Sequence, residues 1–159
     1  MKEKSLILFN QKRIRRHWDK EQELWYFSVI DVVEVLTGSN KPRDYWYEMK
    51  QRVEGTDGIQ LSTLCRQLKL ESSDGQRYLT DCASTESLLR IIQSIPSPKA
   101  EPFKVWLAKV GYERIEETED PELAFDRAMK TYLNKGYSRD WINQRLKSIE
   151  VRKELTDEW

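Results

Sequence analysis

Between residues 25 and 53 the apolar period changes from that of a strand to that of a helix, and this change constrains the fold most. Residues 24–27 form an apolar and aromatic run that predicts a strand. After Ser28, which is a helix-capping residue type, apolar side chains recur at helical spacing: Val29, Val32, Val33 and Leu36. Gly38 is typical of a helix end, and Pro42 of the first turn of a second helix. We therefore expect a strand followed by two short helices.

The second of these helices has two different faces. One side carries an apolar stripe of Trp46, Met49 and Val53. The other side is basic and aromatic, and carries Arg43, Tyr47, Lys50 and Gln51. A short helix pair whose second member has such a face is the pattern of a DNA-recognition element. A solvated amphipathic helix beside a core explains the same spacing, so both interpretations stay open.

A basic segment precedes these helices. Residues 6–9 predict a buried strand, and residues 12–18 alternate as its partner, with Ile14 and Trp18 on one face. The same predicted strand contains three closely spaced arginines: Arg13, Arg15 and Arg16. They repel one another unless anions or solvent screen them. The segment is therefore either an anion-binding strand or a solvated strand near Glu21 and Glu23.

Turn residues separate the elements that follow. Residues 68–71 and 76–80 alternate on either side of a Ser-Ser-Asp-Gly turn and predict a β-hairpin. Residues 84–95 carry a wide apolar stripe and predict a helix. Another helix is expected after Pro98 and is predicted to end at Gly111.

A carboxylate-rich segment then marks the predicted domain boundary. Asp120 and Pro121 are typical of a helix start, and Ser138 can cap a last helix. We expect an α+β domain over residues 1–111, in which a β-hairpin or meander packs with helices. A two-helix appendage is expected over residues 112–159.

The charge balance limits the classes of function. Lysine plus arginine total 27, aspartate plus glutamate total 27, and the net charge is zero. Because nucleic-acid-binding domains are often strongly basic, any such site on this chain must be local. No apolar run approaches the roughly 20 residues of a membrane span. Cys65 and Cys82 form no CxxC pair and indicate reduced thiols in a cytoplasmic protein.

The sequence offers few residues for catalysis or metal binding. His17 is the single histidine, and no glycine-rich phosphate loop is present. The acidic segment lacks the alternating carboxylates and central glycine of a calcium loop. We therefore expect no enzyme, no catalytic residue, no cofactor and no bound metal.

Three segments of the chain resemble the Bro-N domain family: residues 25–53, GQRYLTD, and TESLLRIIQSIPSPKAEPFKVWLAKVG. The resemblance covers about residues 5–111, and SIPSPKAEPFKVWL is its most specific piece. Bro-N domains are the N-terminal domains of viral and phage-type proteins, often described as antirepressors or as DNA-damage-inducible-like proteins. Residues 112–159 resemble the region that follows in one bacterial branch. Because members of that branch usually run on further, we interpret the chain as truncated or shortened.

The resemblance implies an α+β fold and a DNA-binding role in transcription regulation, without catalysis or a cofactor. It transfers to the helix of residues 42–53 and to the basic strand of residues 12–16. The candidate contacts to double-stranded DNA are therefore Arg13, Arg15, Arg16, Arg43, Tyr47, Lys50, Gln51 and Arg52. The basic side chains would neutralise phosphates, while Tyr47 and Gln51 would reach base edges.

The alternative is a protein-interaction module that captures a repressor or a recombination protein without contacting DNA. The neutral net charge favours it, as do aromatic residues that could anchor an interface: Trp18, Trp25, Trp46, Trp141 and Trp159. An aromatic-rich core explains the same composition. A homodimer through the helices of residues 121–155 is a related alternative.

Overall fold

A computed structural model describes residues 13–157 and contains four strands and six α-helices in that range. They are β1 (Arg16–Asp19), β2 (Leu24–Ser28), α1 (Val29–Thr37), α2 (Pro42–Asp57), β3 (Arg66–Glu71), β4 (Arg77–Ser84), α3 (Thr85–Gln93), α4 (Glu101–Glu119), α5 (Glu122–Asn134) and α6 (Arg139–Asp157). Short 3₁₀ turns occupy Leu61–Leu64 and Pro98–Ala100. This order confirms the predicted α+β class. The strand predicted over residues 6–9 lies outside the described residues.

The chain divides into two compact units between Leu107 and Ala108. We call the described residues up to 107 the α/β unit, and residues 108–157 the helical unit. The α/β unit is built on an antiparallel sheet in the order β1-β2-β4-β3. β2 and β4 pair over residues 26–28 and 82–84. Each of these two strands follows a hairpin turn. Because β2 and β4 are antiparallel, the two turns lie at opposite ends of the sheet.

One face of the sheet and the helices that cover it form the core. The core includes Phe27, Ala83, Val29, Val33, Trp46, Met49, Leu88, Ile92 and Phe103. The predicted switch at Ser28 is confirmed, because its side chain caps α1 by accepting the N–H of Asp31 at 3.4 Å. Gly38 ends α1 with a φ of 68°, a left-handed conformation that favours glycine. These local signals turn the chain from β2 into α1 and then into α2.

Two predictions about element boundaries were wrong. β1 begins at Arg16, later than the predicted strand over residues 12–18, and pairs with β2. The helix after Pro98 does not end at Gly111 but continues to Glu119. Gly111 is not among the glycines with positive φ, so it does not form a helix cap. A hydrogen bond from Tyr112 to Glu116 at 2.8 Å supports the continued helix.

The helical unit contains the end of α4 together with α5 and α6. Arg127 of α5 forms ion pairs with Glu113 and Glu117 of α4, at 3.4 and 2.7 Å. Tyr137 stacks on Trp141 with ring centroids 4.1 Å apart. Ion pairs therefore join α4 to α5, and the contact of Tyr132 with Trp141, with ring centroids 5.5 Å apart, joins α5 to α6.

Candidate nucleic-acid interface

Several hydrogen bonds hold Arg15 in the α/β unit. Its Nε and Nη2 donate to the two carboxylate oxygens of Asp31 at 2.8 and 3.0 Å, and its backbone N–H donates to the same carboxylate at 2.9 Å. Its Nη1 donates to the carbonyl oxygen of Glu71 at 3.1 Å. The hydrogen bond with Asp31 raises the pKa of Arg15, against the effect of burial. The charge of this arginine is therefore already balanced inside the fold.

The other two arginines of the basic segment have different environments. Arg13 is exposed, whereas Arg16 is half-buried with its guanidinium 5.6 Å from the centre of the Phe27 ring. A groove of about 630 Å³ between α1, α2 and the β3–β4 turn contains Arg15 and Arg43. Carboxylates outnumber the cations of this groove: Asp31, Glu34, Asp44 and Glu71 against Arg15, Lys41 and Arg43. This groove therefore does not favour an anion.

Three of the predicted α2 residues meet in a second groove. Arg43, Tyr47 and Lys50 line a space of about 250 Å³ between α2 and the β3–β4 hairpin. The hairpin side of this groove includes Leu79 and Asp81. Tyr47 is 59% exposed and Leu79 is 61% exposed. The structure thus brings together three sequence-predicted residues beside a hairpin that the sequence did not link to them.

Asp81 fixes α2 against this hairpin. Its carboxylate accepts hydrogen bonds from Trp46 Nε1 at 2.8 Å, Lys50 Nζ at 3.2 Å and Gln67 Nε2 at 3.4 Å. Burial alone would raise the pKa of Asp81, but the hydrogen bonds from Trp46 and Lys50 outweigh burial and lower it. Lys50 is therefore partly neutralised. Asp81 was not predicted from the sequence. The feature that could have indicated it is a carboxylate within a strand that is otherwise half-buried.

The remaining two α2 residues lie elsewhere on the helix. Arg52 and Gln51 are exposed. Arg52 follows Arg43 by nine residues, or about 2.5 helical turns, and therefore lies on the opposite side of α2. Asp44 and Glu48 are exposed between these two sides. The eight predicted residues consequently do not form one continuous basic surface.

The tryptophans that were predicted to anchor an interface differ in their exposure. Trp46 is buried at 3% exposure, as an aromatic-rich core implies. Trp18 and Trp25 are 41% and 45% exposed, and their ring centroids lie 5.2 Å apart in the first hairpin. Trp141 is partly exposed beside Tyr137. Trp159 lies outside the described residues.

Within residues 13–157, no group of three histidine, cysteine, aspartate or glutamate side chains could hold a metal ion. Cys65 and Cys82 are free thiols, and burial raises their pKa to about 12 and about 11. Both thiols are therefore protonated near neutral pH. No helix in this part of the chain has the length and apolar character needed to cross a membrane.

One comparison with known proteins found a match. The family model described as "BRO family, N-terminal domain" matches residues 13–114, which is more than half of the chain. The matched range includes α2, the β3–β4 hairpin and all eight predicted contact residues. Comparison with curated proteins and with solved structures gave no significant match.

Proposed function

The chain belongs to the BRO family, and from this premise we propose that it is a non-catalytic DNA-binding regulatory module of the phage or prophage antirepressor type. The BRO N-terminal domain is associated with phage antirepressors and DNA-binding regulatory proteins. The observation that carries the proposal is the grouping of Arg43, Tyr47 and Lys50 in one groove beside exposed hairpin residues.

In this proposal α2 approaches double-stranded DNA with the side that bears Arg43. The major groove is about 12 Å wide and admits an α-helix. Arg43 neutralises a phosphate, and the exposed Tyr47 reaches towards a base edge. Gln51 is exposed one helical turn after Tyr47 and can contact adenine. Lys50 contributes less, since it shares its charge with Asp81.

The free thiols suit a reducing compartment, so we propose that the module acts in the cytoplasm. In this proposal Arg15 contacts no phosphate, because it is bound to Asp31. Arg52 contacts none either, because it lies on the opposite side of α2 from Arg43. The cationic part of the interface is therefore smaller than the sequence predicted.

The proposal is tested by titrating a fluorescein-labelled mixed-sequence DNA duplex and following anisotropy over a range of salt concentrations. With phosphate contacts from Arg43 and Lys50, log K should fall against log salt with a slope of about −2 or steeper. Arg43→Gln should weaken binding and reduce this slope by about 1. Arg52→Gln makes the same charge change on the opposite side of α2 and should bind like the wild type. No binding at low salt, or an equal loss in both variants, contradicts the proposal.

A protein-capture function is the second candidate, and the exposed Trp18–Trp25 pair favours it. Exposed tryptophans often carry much of the free energy of a protein interface. A repressor or recombination protein that covers both rings would quench or shift their fluorescence. The test is a pull-down with nuclease-treated phage-host extract followed by reconstitution with the purified partner. Loss of binding in Trp18→Ala/Trp25→Ala, with Tyr47→Ala unaffected, would support capture through this pair.

Self-association is a further part of this second candidate. α5 and α6 expose several large apolar side chains: Phe125, Leu133, Trp141, Val151 and Leu155. Pairing of two copies through the helices of residues 121–155 would cover them. Sedimentation equilibrium of the whole chain should then give twice the monomer mass, and a monomer mass at micromolar concentration contradicts a dimer.

A further inference from the structure

The β3–β4 hairpin extends the candidate interface in a direction that the sequence did not indicate. Lys69 lies opposite Leu79 and Glu71 lies opposite Arg77 in the strand register. Because side chains alternate along a strand, these four residues and Asp81 share one face of the hairpin. Asp81 accepts the hydrogen bond from Trp46, so this is the face along which α2 lies. Beyond Asp81 the face is exposed.

Two cations lie side by side on this exposed face. Arg77 Nη2 donates to the carbonyl oxygen of Lys69 at 3.1 Å, so the guanidinium reaches across the hairpin to the neighbouring strand. Neither Lys69 nor Arg77 forms an ion pair within 4.0 Å with any residue that the structure describes. Adjacent like charges repel, and an anion bound between them relieves that repulsion.

Arg43 of α2 extends this cationic surface. It lines one groove with Ser72 and Ser73 of the hairpin turn, and the other groove with Leu79. The hydrogen bond to Asp74 raises the pKa of Tyr78, and the nearby charge of Arg43 opposes that rise. The start of α2 therefore lies beside the outer part of the hairpin.

We propose that duplex DNA binds across α2 and the β3–β4 hairpin together, with Lys69 and Arg77 contacting its phosphate backbone beside Arg43. This inference rests on the proposed function and adds a second contacting element to it. A helix and a two-stranded ribbon are both elements that bind DNA grooves. On the hairpin Lys69 lies opposite Leu79 and Arg77 lies two residues before it, and Arg43 lines the same groove as Leu79 and the exposed Tyr47.

An anion-binding surface of this kind also fits an acidic protein segment, and DNA is favoured for a geometric reason. The cations come from two separate elements, α2 and the hairpin, so a bound partner has to contact both elements at once. The phosphates of a duplex present a regular charge along one direction, about one per 1.7 Å of helix axis. An acidic peptide is therefore used as a competitor in the test.

The test compares the wild type with Lys69→Gln/Arg77→Gln in the anisotropy titration of the labelled mixed-sequence duplex. The double variant should bind more weakly, and its log–log salt slope should be smaller in magnitude by about 2. Glu71→Gln is the matched control, because it removes a carboxylate from the same face. It should bind at least as tightly as the wild type with the same slope. All three substituted side chains are exposed, and far-UV circular dichroism checks that each variant folds.

The outcomes separate the inference from the function on which it rests. If the wild type does not bind the duplex, both are overturned. If Arg43→Gln weakens binding while the double variant binds like the wild type, the hairpin contact alone is overturned. If a polyglutamate peptide displaces the duplex as well as unlabelled duplex does at equal charge, the surface takes acidic segments generally and the assignment to DNA is overturned.

Discussion

The α/β unit and the helical unit are stabilised by different kinds of interaction. The α/β unit encloses a continuous core formed by the sheet and its helices, including fully buried residues such as Leu88 and Ile92. In the helical unit Ile142 is the one buried hydrophobic residue among those that the structure describes. Its side-chain contacts also include the ion pairs of Arg127 and the stacking of Tyr137 on Trp141.

This difference has a physical consequence. Burial of apolar area is the main favourable term in folding, and it is roughly proportional to the area removed from water. Partly exposed ion pairs contribute little by comparison. The α/β unit therefore has the means to fold on its own contacts, whereas the helical unit gains more from anything that covers its exposed apolar side chains. The candidate DNA interface lies on the unit with the larger buried core.

The largest expected effect comes from the core of the α/β unit. Ile92→Ala removes a fully buried side chain from α3 and should destabilise the fold by about 2–5 kcal/mol. Ile115→Ala makes the same change in α4, where the side chain is 64% exposed, and should cost less than about 0.5 kcal/mol. Urea unfolding followed by circular dichroism measures both. Equal costs would show that the helical unit is packed as tightly as the α/β unit.

Local signals explain why much of the fold was predictable. The helix start at Ser28, the helix end at Gly38 and the new start at Pro42 each depend on a residue and its immediate neighbours. The end of α4 was predicted wrongly because a glycine stops a helix only when its backbone takes the left-handed conformation. The local sequence around Gly111 does not determine which backbone conformation this glycine takes.

The candidate site was predictable only in part, because its decisive contacts join distant parts of the chain. Asp31 balances Arg15 across 16 residues, and Asp81 binds Lys50 across 31 residues. A count of nearby charges cannot reveal such partners. Helical periodicity did group Arg43, Tyr47 and Lys50, but it did not show which hairpin they face.

The contact of α2 with the hairpin gives the next largest effect. Asp81→Asn keeps an acceptor for Trp46 but removes the charge that binds Lys50, and should destabilise the α/β unit by about 1–2 kcal/mol. The pKa of this carboxylate is lowered in the folded protein. Its stabilisation is therefore present above the unfolded value of about 3.9 and is lost as pH falls through the lower folded value.

Unfolding of the wild type and Asp81→Asn at a series of pH values tests this. The two stabilities should differ near neutral pH and converge in acid. Glu48→Gln, which removes an exposed carboxylate from α2, is the control and should shift stability little at any pH. A difference between wild type and Asp81→Asn that persists unchanged in acid would contradict the role given to the charge.

A smaller effect is expected from the ion pairs of the helical unit. Arg127→Gln removes the contacts of Arg127 with Glu113 and Glu117 and should cost about 1 kcal/mol, because these side chains are half-buried. Arg114→Gln removes a long pair of 3.7 Å from an arginine whose side chain is 76% exposed, and should cost less than about 0.5 kcal/mol. Hydrogen exchange of residues 108–134 measures the local change. Because the pairs of Arg127 are still partly open to solvent, salt screens part of their attraction, and high salt should reduce the difference between the variants.

The smallest expected effect tests whether the apolar side of α6 is covered. Val151 and Leu155 are exposed, so Val151→Ala and Leu155→Ala should each change the stability of an uncovered chain by less than about 0.5 kcal/mol. If two copies pair through this side, the same substitutions should instead weaken association in sedimentation equilibrium, and the unfolding midpoint should depend on protein concentration. Lys153→Ala, two residues from Val151 and therefore on the opposite side of α6, is the control for a shortened exposed side chain. If the unfolding midpoint does not depend on concentration and the mass is unchanged in all three variants, the helical unit is stable with its apolar side in water. The two units would then differ in how they are stabilised, and no covering partner would be needed to explain the exposed apolar side chains of the helical unit.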